Sequence, residues 1–322
     1  MKYLPLPFVL LSLAASAFAA DRPALVPGTL VTIPASTGKF DFLEMDSGRH
    51  RLLASHEKDE TADFIDLTAG TVLARVKLGP VVDTVVDPKT GNYYCSVQDD
   101  KRIAILDGDA LKEIGSIPVE GETDGIIFEP NSRHLYVTHD NGTHLWAIDV
   151  DAKKIVSTII IPGAPECLAL DAAAKRIYLN IKTTNEVVVI DTATNKLVAQ
   201  WPTAPAVAPH GIALDASAGR LYSAGDNGVL AILDLKTGKV IGSVKITEHV
   251  DQAAIDPALG LVYCAGANFL SVVKVTGSGA VLVGNVPTSA TAKNVAVDSK
   301  THAVWTTYTD GTNSYAQSWL QP

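Results

Sequence analysis

The chain has 322 residues, of which 47% are hydrophobic and 19% charged, so it is long enough to bury a large core. The formal net charge of −9 argues against a general affinity for nucleic acid, because such binding needs a basic surface that displaces counterions. The same acidity argues against docking on anionic lipid. The three cysteines, Cys95, Cys167 and Cys264, form no CxxC motif, so a disulfide scaffold, a zinc ribbon and a c-type haem are unsupported.

The N-terminus has the features of an export signal. An apolar stretch, Leu6–Ala17, follows a single lysine and ends in the small-x-small triplet 17–19. The stretch is too short for a membrane anchor, and no later run reaches the ~18 apolar residues of a spanning helix. We therefore predict a signal peptide over residues 1–19 and one mature domain, residues 20–322, that is periplasmic or secreted.

A repeat of 41 to 44 residues runs through the rest of the chain. Seven times an acidic residue follows a short apolar run, and a large apolar or aromatic residue stands seven positions later. The acids, called anchor residues below, are Asp46, Asp87, Glu129, Asp171, Asp215, Asp256 and Asp298. The large residues are Leu53, Tyr94, Tyr136, Tyr178, Tyr222, Tyr263 and Trp305. A period of about 40–45 residues is typical of β-propeller blades.

Each repeat predicts four short strands in order. The first is the apolar run before the anchor residue, such as Ile212–Leu214, and the second carries the aromatic residue. The third is β-branched and ends at another acid, as in Val187–Asp191. The fourth follows a Gly- or Asn-containing turn, as in Val240–Val244. The fixed register of the aromatics predicts that they pack between blades. The chain is therefore predicted to be an all-β, seven-bladed β-propeller with four-stranded antiparallel blades.

The two ends of the chain complete the ring. The last repeat has a first strand, Trp305 on the second and Ser314–Leu320 as the third, but no fourth strand. Residues 28–34 resemble a fourth strand such as residues 113–118. We predict that residues 28–34 pair as the outer strand of the last blade, because this pairing prevents the ring from opening.

The second and third strands of several repeats carry a recognisable motif. Clear copies are Leu135–Thr138 followed by Leu145–Asp149, and Arg176–Tyr178 followed by Val188–Thr194. On these residues the chain resembles the YVTN-repeat β-propellers, the YncE-like group of bacterial exported proteins, although the full tetrapeptide is absent. The resemblance covers residues 28–322 and implies an exported, soluble propeller used mainly for binding, with several unrelated enzyme activities among related propellers.

Candidate ligand-binding residues fall on one face of the ring. In a propeller, the segment entering each first strand and the loop between the second and third strands share a face. The predicted residues there are Asp41, Asp83, Asp124, Glu166, His210, Asp251, Lys293 and Asn294, with His56 and His139 from the loops. A solvated propeller mouth would carry the same polar residue types, so the pattern alone does not distinguish a site from a wet surface.

A metal site is one interpretation of this face. Carboxylates and imidazole that converge on an axis suit Ca²⁺ or a first-row metal. The candidate metal ligands are Asp124, Glu166, His210 and Asp251. No HExxH or EF-hand motif supports a metal, so none is required by the sequence.

Three functions stay open. The first is an exported binding protein that holds a protein, peptide or small molecule at the acidic mouth of the channel. The second is a metal-dependent, lactonase-like hydrolase or lyase in which a divalent metal activates water or a carbonyl. The third is a docking subunit for a periplasmic redox partner. No catalytic residue is assigned, because GxSxG, P-loop and GxGxxG motifs are absent. A monomer is expected, because a propeller closes its own sheets.

Overall fold

The computed structural model describes residues 23–277 and 279–322. Within them, the strands form seven four-stranded antiparallel sheets and the only helical segment is a short 3-10 turn, Glu57–Asp59. The prediction of a seven-bladed propeller is confirmed. The predicted signal peptide, residues 1–19, lies outside the described residues.

The blades follow one another along the chain, except that β1 (Val26–Ile33) belongs to the last blade. Blade 1 contains β2 (Leu43–Asp46), β3 (Arg51–His56), β4 (Thr61–Asp66) and β5 (Thr71–Lys77). Blade 2 contains β6 (Val81–Val86), β7 (Tyr93–Val97), β8 (Arg102–Asp107) and β9 (Lys112–Pro118). Blade 3 contains β10 (Thr123–Glu129), β11 (His134–His139), β12 (His144–Asp149) and β13 (Lys154–Ile160). Blade 4 contains β14 (Pro165–Asp171), β15 (Arg176–Ile181), β16 (Glu186–Asp191) and β17 (Lys196–Pro202).

The remaining blades follow the same plan. Blade 5 contains β18 (Pro209–Asp215), β19 (Arg220–Gly225), β20 (Val229–Asp234) and β21 (Val240–Lys245). Blade 6 contains β22 (Gln252–Asp256), β23 (Leu261–Gly266), β24 (Phe269–Thr276) and β25 (Gly279–Pro287). Blade 7 contains β26 (Ala296–Val297), β27 (Val304–Thr309) and β28 (Ser314–Leu320), with β1 as its outer strand.

The repeated acids stabilise the turns that end their strands. The Asp87 carboxylate, after β6, accepts hydrogen bonds from the Lys89 amide at 2.9 Å and the Thr90 hydroxyl at 2.7 Å. After β4, Asp66 Oδ1 accepts from the amides of Thr68 and Ala69 at 2.8 and 2.9 Å. An Asp side chain that accepts from amides two or three residues later holds a tight turn. The sequence period therefore records turn chemistry as much as strand pattern.

The repeated aromatic residues pack between blades, as predicted. All seven large residues of the repeat are at most 4% exposed. One buried cluster joins Tyr94 and Ile103 of blade 2 to Ile126 and Leu135 of blade 3. The core is thus distributed around the ring, because each sheet buries its faces against its two neighbours.

The ring closes through the N-terminal strand. β1 pairs antiparallel with β28, with Val31 opposite Ala316 and Ile33 opposite Ser314. The prediction for residues 28–34 is confirmed, although the strand starts two residues earlier and ends one residue earlier than predicted.

All three cysteines are free and buried. Burial raises the pKa of Cys95 and of Cys264 to about 12, so these thiols are small core side chains. In the part of the chain described, no helix has the length and apolar character to cross a membrane.

Candidate functional site

The mouth cavity lies where the first strands begin, at one end of the central channel. Its volume is about 290 Å³. It is lined by Lys39, Asp41, Phe42, Glu57, Gln98, Asp124, Asp140, Glu166, Lys182, His210, Asp251, Gln252 and Lys293. Six carboxylates thus face three lysines and one histidine in one small space. The excess of acids gives the cavity a negative potential.

The structure brings six of the ten predicted ligand-binding residues into this cavity. They are Asp41, Asp124, Glu166, His210, Asp251 and Lys293. They come together because each lies just before or at the beginning of the first strand of its blade, which lines the channel and is called the inner strand below. The other four, Asp83, Asn294, His56 and His139, do not line it.

Asp83 and Asn294 tie neighbouring blades together. The Asp83 carboxylate accepts from the Thr84 amide at 2.7 Å and, across the blade boundary, from the Ile126 amide at 2.9 Å. Asn294 Nδ2 donates to the Asp41 carbonyl at 3.0 Å, and Asn294 Oδ1 accepts from the Thr307 amide at 2.8 Å. These side chains satisfy buried backbone groups, which explains their burial.

Below the mouth the channel narrows into a cavity of about 120 Å³. Its lining includes Asp83, Glu44 and Cys167. Burial raises the pKa of Glu44 to about 7, and burial together with the nearby Glu44 raises that of Asp83 well above its ordinary value. The acidic character of the mouth therefore continues into the channel.

The two loop histidines lie outside the mouth cavity. His56 is fully buried beneath Phe40, with the two rings stacked at 3.8 Å. His139 packs edge-on against Trp146, with ring centroids 5.1 Å apart, and against His144 at 5.8 Å. His139 Nδ1 is buried and has no hydrogen-bond partner among the described residues. Each of the two rings therefore packs against aromatic neighbours and leaves the mouth cavity unlined by histidine from these loops.

Burial and mutual repulsion perturb the mouth carboxyls. Burial, with added repulsion from Asp251 and other acids, raises the pKa of Asp41 to about 7, against the opposing effect of Lys39. Burial and the nearby Asp41 and Glu166 raise the pKa of Asp124 well above its ordinary range. These carboxyls are costly to ionise together, and an added positive charge would relieve that cost.

Glu166 is partly neutralised by its neighbours. Lys182 Nζ lies 2.5 Å from Glu166 Oε1, and His210 Nε2 lies 3.6 Å from the same oxygen. His210 Nδ1 lies 2.8 Å from the Ala208 carbonyl and donates to it, because a carbonyl oxygen can only accept. The other ring nitrogen, Nε2, is the one that faces Glu166. Burial still raises the pKa of Glu166, despite His210 and Lys182. The Lys182 ammonium thus lies against an acid of the mouth cavity.

Several lining residues escaped the sequence analysis. Lys39 lies in the connection between β1 and β2, residues 34–42, which is longer than the other connections that lead from an outer strand into the next blade. Gln98 of blade 2 donates through Nε2 to Asp140 Oδ2 of the neighbouring blade 3 at 2.9 Å. The repeat register gave the face of the ring on which these loops lie. The side chains that point inward depend on loop conformation, for which the register carries no signal.

Residues 23–277 and 279–322 contain no group of three or more His, Cys, Asp or Glu side chains placed to hold a metal ion. The predicted metal ligands share the mouth cavity without forming such a group. Glu166 in particular has a lysine ammonium as its neighbour.

Comparison with known proteins identifies the fold. No family model matches the sequence, and no curated protein matches it. A chain of the mitotic checkpoint complex superposes with a TM-score of 0.80 at 13% identity, covering 100% of both chains. The RRP9 WD40 repeats match with a TM-score of 0.77 at 11% identity, over 92% of this chain and 99% of theirs. A chain of Kuenenia stuttgartiensis hydrazine synthase matches with a TM-score of 0.74 at 14% identity, over 90% and 96%.

The fold is a WD40-like β-propeller. At these identities the likeness concerns architecture alone. This chain shares the overall fold of these structures.

Proposed function

We propose that this chain is an exported binding propeller that holds a positively charged group of a protein, peptide or small molecule in its mouth cavity. The observation that carries the proposal is the convergence of six carboxylates on one cavity of about 290 Å³ with three lysines. Export is proposed from the apolar stretch and cleavage triplet within residues 1–19. The resemblance of the repeats to the YVTN group supports both parts of the proposal.

The perturbed carboxyls favour a cationic ligand. Because Asp41 and Asp124 have raised pKa values, they bind protons where ordinary aspartates would be ionised. A cation that enters the cavity would replace those protons and reduce the repulsion between the acids. An anion would add to the repulsion and lose the solvation of its charge.

The size of the cavity restricts the ligand. Pockets for drug-sized molecules occupy about 300–1,000 Å³, and this cavity lies at the lower limit. It suits one amino-acid-sized group, such as the side chain of a lysine or arginine or a short amine. A larger partner would place a single basic side chain in the cavity and rest on the rim.

Lys182 occupies part of the position that such a ligand would take. Its ammonium contacts Glu166 and lies close enough to Asp124 and Asp140 for their charges to raise its pKa, although burial opposes the effect. A cationic ligand would have to displace it or share its carboxylates. Lys182→Met should therefore strengthen binding of a cation, whereas Lys293→Met removes an equal charge without breaking that contact.

The test is titration calorimetry of the mature protein with lysine amide, arginine amide and putrescine. Nα,Nε-diacetyl-lysine amide and N-acetyl-norleucine amide serve as uncharged probes. We expect binding of the charged probes only, reduced at least tenfold in Asp124→Asn. Asp99→Asn removes an exposed acid outside the cavity and serves as the matched control.

Equal binding of charged and uncharged probes, or no effect of Asp124→Asn, would overturn the proposal. Elemental analysis of the same preparation separates it from the metal-dependent alternative. If the protein contained about one divalent metal per chain, and Asp124→Asn lost it, the metal-dependent alternative would be favoured over a propeller that binds an organic cation.

A further inference from the structure

A buried polar network lies where the chain enters blade 1, and its members are not among the residues that line the mouth cavity. His56 Nδ1 is 2.9 Å from Asp63 Oδ2, and His56 Nε2 is 3.3 Å from Ser36 Oγ. All three residues are at most 1% exposed. Asp59 and Arg75 complete the network, with Arg75 Nη2 at 2.6 Å from Asp59 Oδ2.

The Ser36, His56 and Asp63 side chains have the order of a hydrolytic triad but not its chemistry. Ser36 Oγ donates to Asp59 Oδ2 at 2.6 Å, so its proton is directed away from the histidine. His56 Nε2 lies 3.0 Å from the Gly38 carbonyl, which can only accept a hydrogen bond. A general base needs a free lone pair on that nitrogen and a nucleophile open to substrate. Neither is present here, so the network has another role.

Hydrogen bonding determines the protonation of the ring. Nε2 faces the Gly38 carbonyl and Nδ1 faces the Asp63 carboxylate, so both nitrogens face acceptors. Asp63 Oδ1 also accepts from Thr61 Oγ1 at 2.7 Å and from Arg75 Nε at 3.4 Å, which favours the ionised carboxylate. A ring with one proton would leave a lone pair against an acceptor inside the protein, which is unfavourable.

The charges of the network balance only with a charged ring. The charged groups that face His56 are Asp63 from β4 and Asp59 from the 3-10 turn, and Arg75 from β5 bridges both acids. Two carboxylates and one guanidinium sum to −1, and an imidazolium brings the sum to zero. An unbalanced buried charge is far costlier than a balanced, hydrogen-bonded set.

The network also holds the two ends of the chain together. Ser36 follows β1 by three residues, and its Oγ lies 3.0 Å from Ser314 Oγ at the start of β28. Ser314 Oγ donates to the Ser36 carbonyl at 3.1 Å, and the Gly38 amide donates to Asp59 Oδ1 at 2.9 Å. The segment that connects blade 7 to blade 1 is therefore hydrogen-bonded to both of these blades.

We propose that His56 is a buried imidazolium that fixes residues 36–38 between blades 7 and 1 and so keeps the ring closed. The contacts of His56 with Ser36, Gly38 and Asp63 are called the latch below. The latch explains why a histidine in a mouth-facing loop position turns inward. It acts on the strand that completes blade 7 and does not depend on any ligand of the mouth.

The first test is NMR of the histidine rings in the ¹⁵N-labelled mature protein at pH 7.5. We expect both His56 ring nitrogens to carry protons. His249, which is 59% exposed and paired with Asp226, is the matched control for a histidine ring in contact with solvent. A bare ring nitrogen on His56 would overturn the proposal, and this measurement needs no variant to fold.

The second test is hydrogen exchange, read by mass spectrometry, on His56→Gln and His249→Gln. Loss of the latch should speed exchange of the β1 amides that pair with β28 at least tenfold, with blade 4 unchanged. His249→Gln should leave both regions unchanged. Unaltered exchange of β1 in His56→Gln would show that the imidazolium does not hold the closure.

Discussion

The two ends of the inner strands carry the same kind of residue in opposite electrostatic states. At the anchor end, burial alone would raise the pKa of Asp87, but hydrogen bonds from Thr90, Lys89 and Arg133 outweigh it and lower the pKa. Hydrogen bonds from Ser132 and Asn131 do the same for Glu129. At the mouth, burial and the repulsion from neighbouring acids together raise the pKa of Asp124. Hydrogen-bond donors offset the cost of burial at Asp87 and Glu129, whereas the charges of Asp41 and Glu166 add to the effect of burial at Asp124.

This contrast distinguishes acids that stabilise the ring from acids that support the proposed binding role of the mouth. The anchor acids have donors built into their own turns and the next blade, so they stabilise the ring. The mouth acids have few donors of their own and repel one another, which is a cost to stability. Strained electrostatics of this kind concentrate at functional sites. Four measurements would sharpen or break the comparison.

The largest effect is expected at an anchor residue. Asp87→Asn would remove the ion pair with Arg133 at 2.9 Å and weaken the turn bonds, leaving the guanidinium paired with Asp151. We expect a loss of about 2–3 kcal/mol in the free energy of unfolding, measured by urea titration, because hydrogen bonds to charged groups are lost. Asp171→Asn, at an anchor whose carboxylate accepts from the Ala174 amide, is the matched control and should lose about 1 kcal/mol. Equal losses would show that the inter-blade ion pair adds nothing.

Binding of a cationic probe should depend on pH. Asp41 has a pKa of about 7, so it is mostly ionised at pH 8 and mostly protonated at pH 6. Affinity for lysine amide should fall roughly tenfold over that range, as one carboxylate gains a proton, and calorimetry at several pH values would measure it. Asp41→Asn should flatten the profile. A profile unchanged by this substitution would place the titrating group elsewhere.

The same shift predicts the sign of a stability change. The folded protein keeps the Asp41 proton up to about pH 7, whereas the unfolded chain loses it near the ordinary value of 3.8. The folded state therefore binds more protons between these values, and this group lowers stability as the pH rises through them.

Removing a mouth acid should stabilise the fold. Asp124→Asn would relieve repulsion from Asp41 and Glu166, and we expect a gain of about 1 kcal/mol in unfolding free energy at pH 8. The same variant should bind a cationic probe more weakly, so stability and binding change in opposite directions. A loss of stability would mean that Asp124 has a structural partner, as the anchor residues do.

The smallest effect is expected at the surface. Asp109 is 87% exposed and pairs with Arg49 at 2.8 Å. Exposed ion pairs contribute little because water and salt screen them. Asp109→Asn should leave the urea midpoint unchanged. A clear loss would show that Arg49 needs this acid in order to support the anchor Asp46.

Features that recur at a fixed position in every repeat could be predicted from the sequence. Features that depend on a single connection or on side-chain contacts could not. The outer strand of blade 7 was predicted because residues 28–34 share the pattern of the other fourth strands. Asp124, Glu166 and Asp251 were placed at the mouth because they occupy one register position. His56 shares the loop position of mouth residues, yet the connection after β1, residues 34–42, is longer than the other connections that enter a blade. That connection supplies Gly38 and Ser36, whose contacts draw the histidine inward.

Lys182 illustrates a second limit. Its position in a mouth-facing loop follows from the register, but its contact with Glu166 depends on the reach of a flexible side chain. Such contacts are set by three-dimensional neighbours that no local pattern encodes. The charge balance of the mouth was therefore predictable in sign and not in detail.

The closure by β1 has a consequence for how the chain reaches its native state. Thr29 and Ser318, which hydrogen-bond at 2.7 Å, are 289 residues apart in sequence. The pairing of β1 with β28 thus closes the longest loop in the chain, and we expect it to form after the local hairpins of blades 1–6. Until then β28 presents a free edge that can pair with another molecule. A circular permutant with residues 26–33 moved behind β28 would make this pairing local, and it should refold faster and aggregate less.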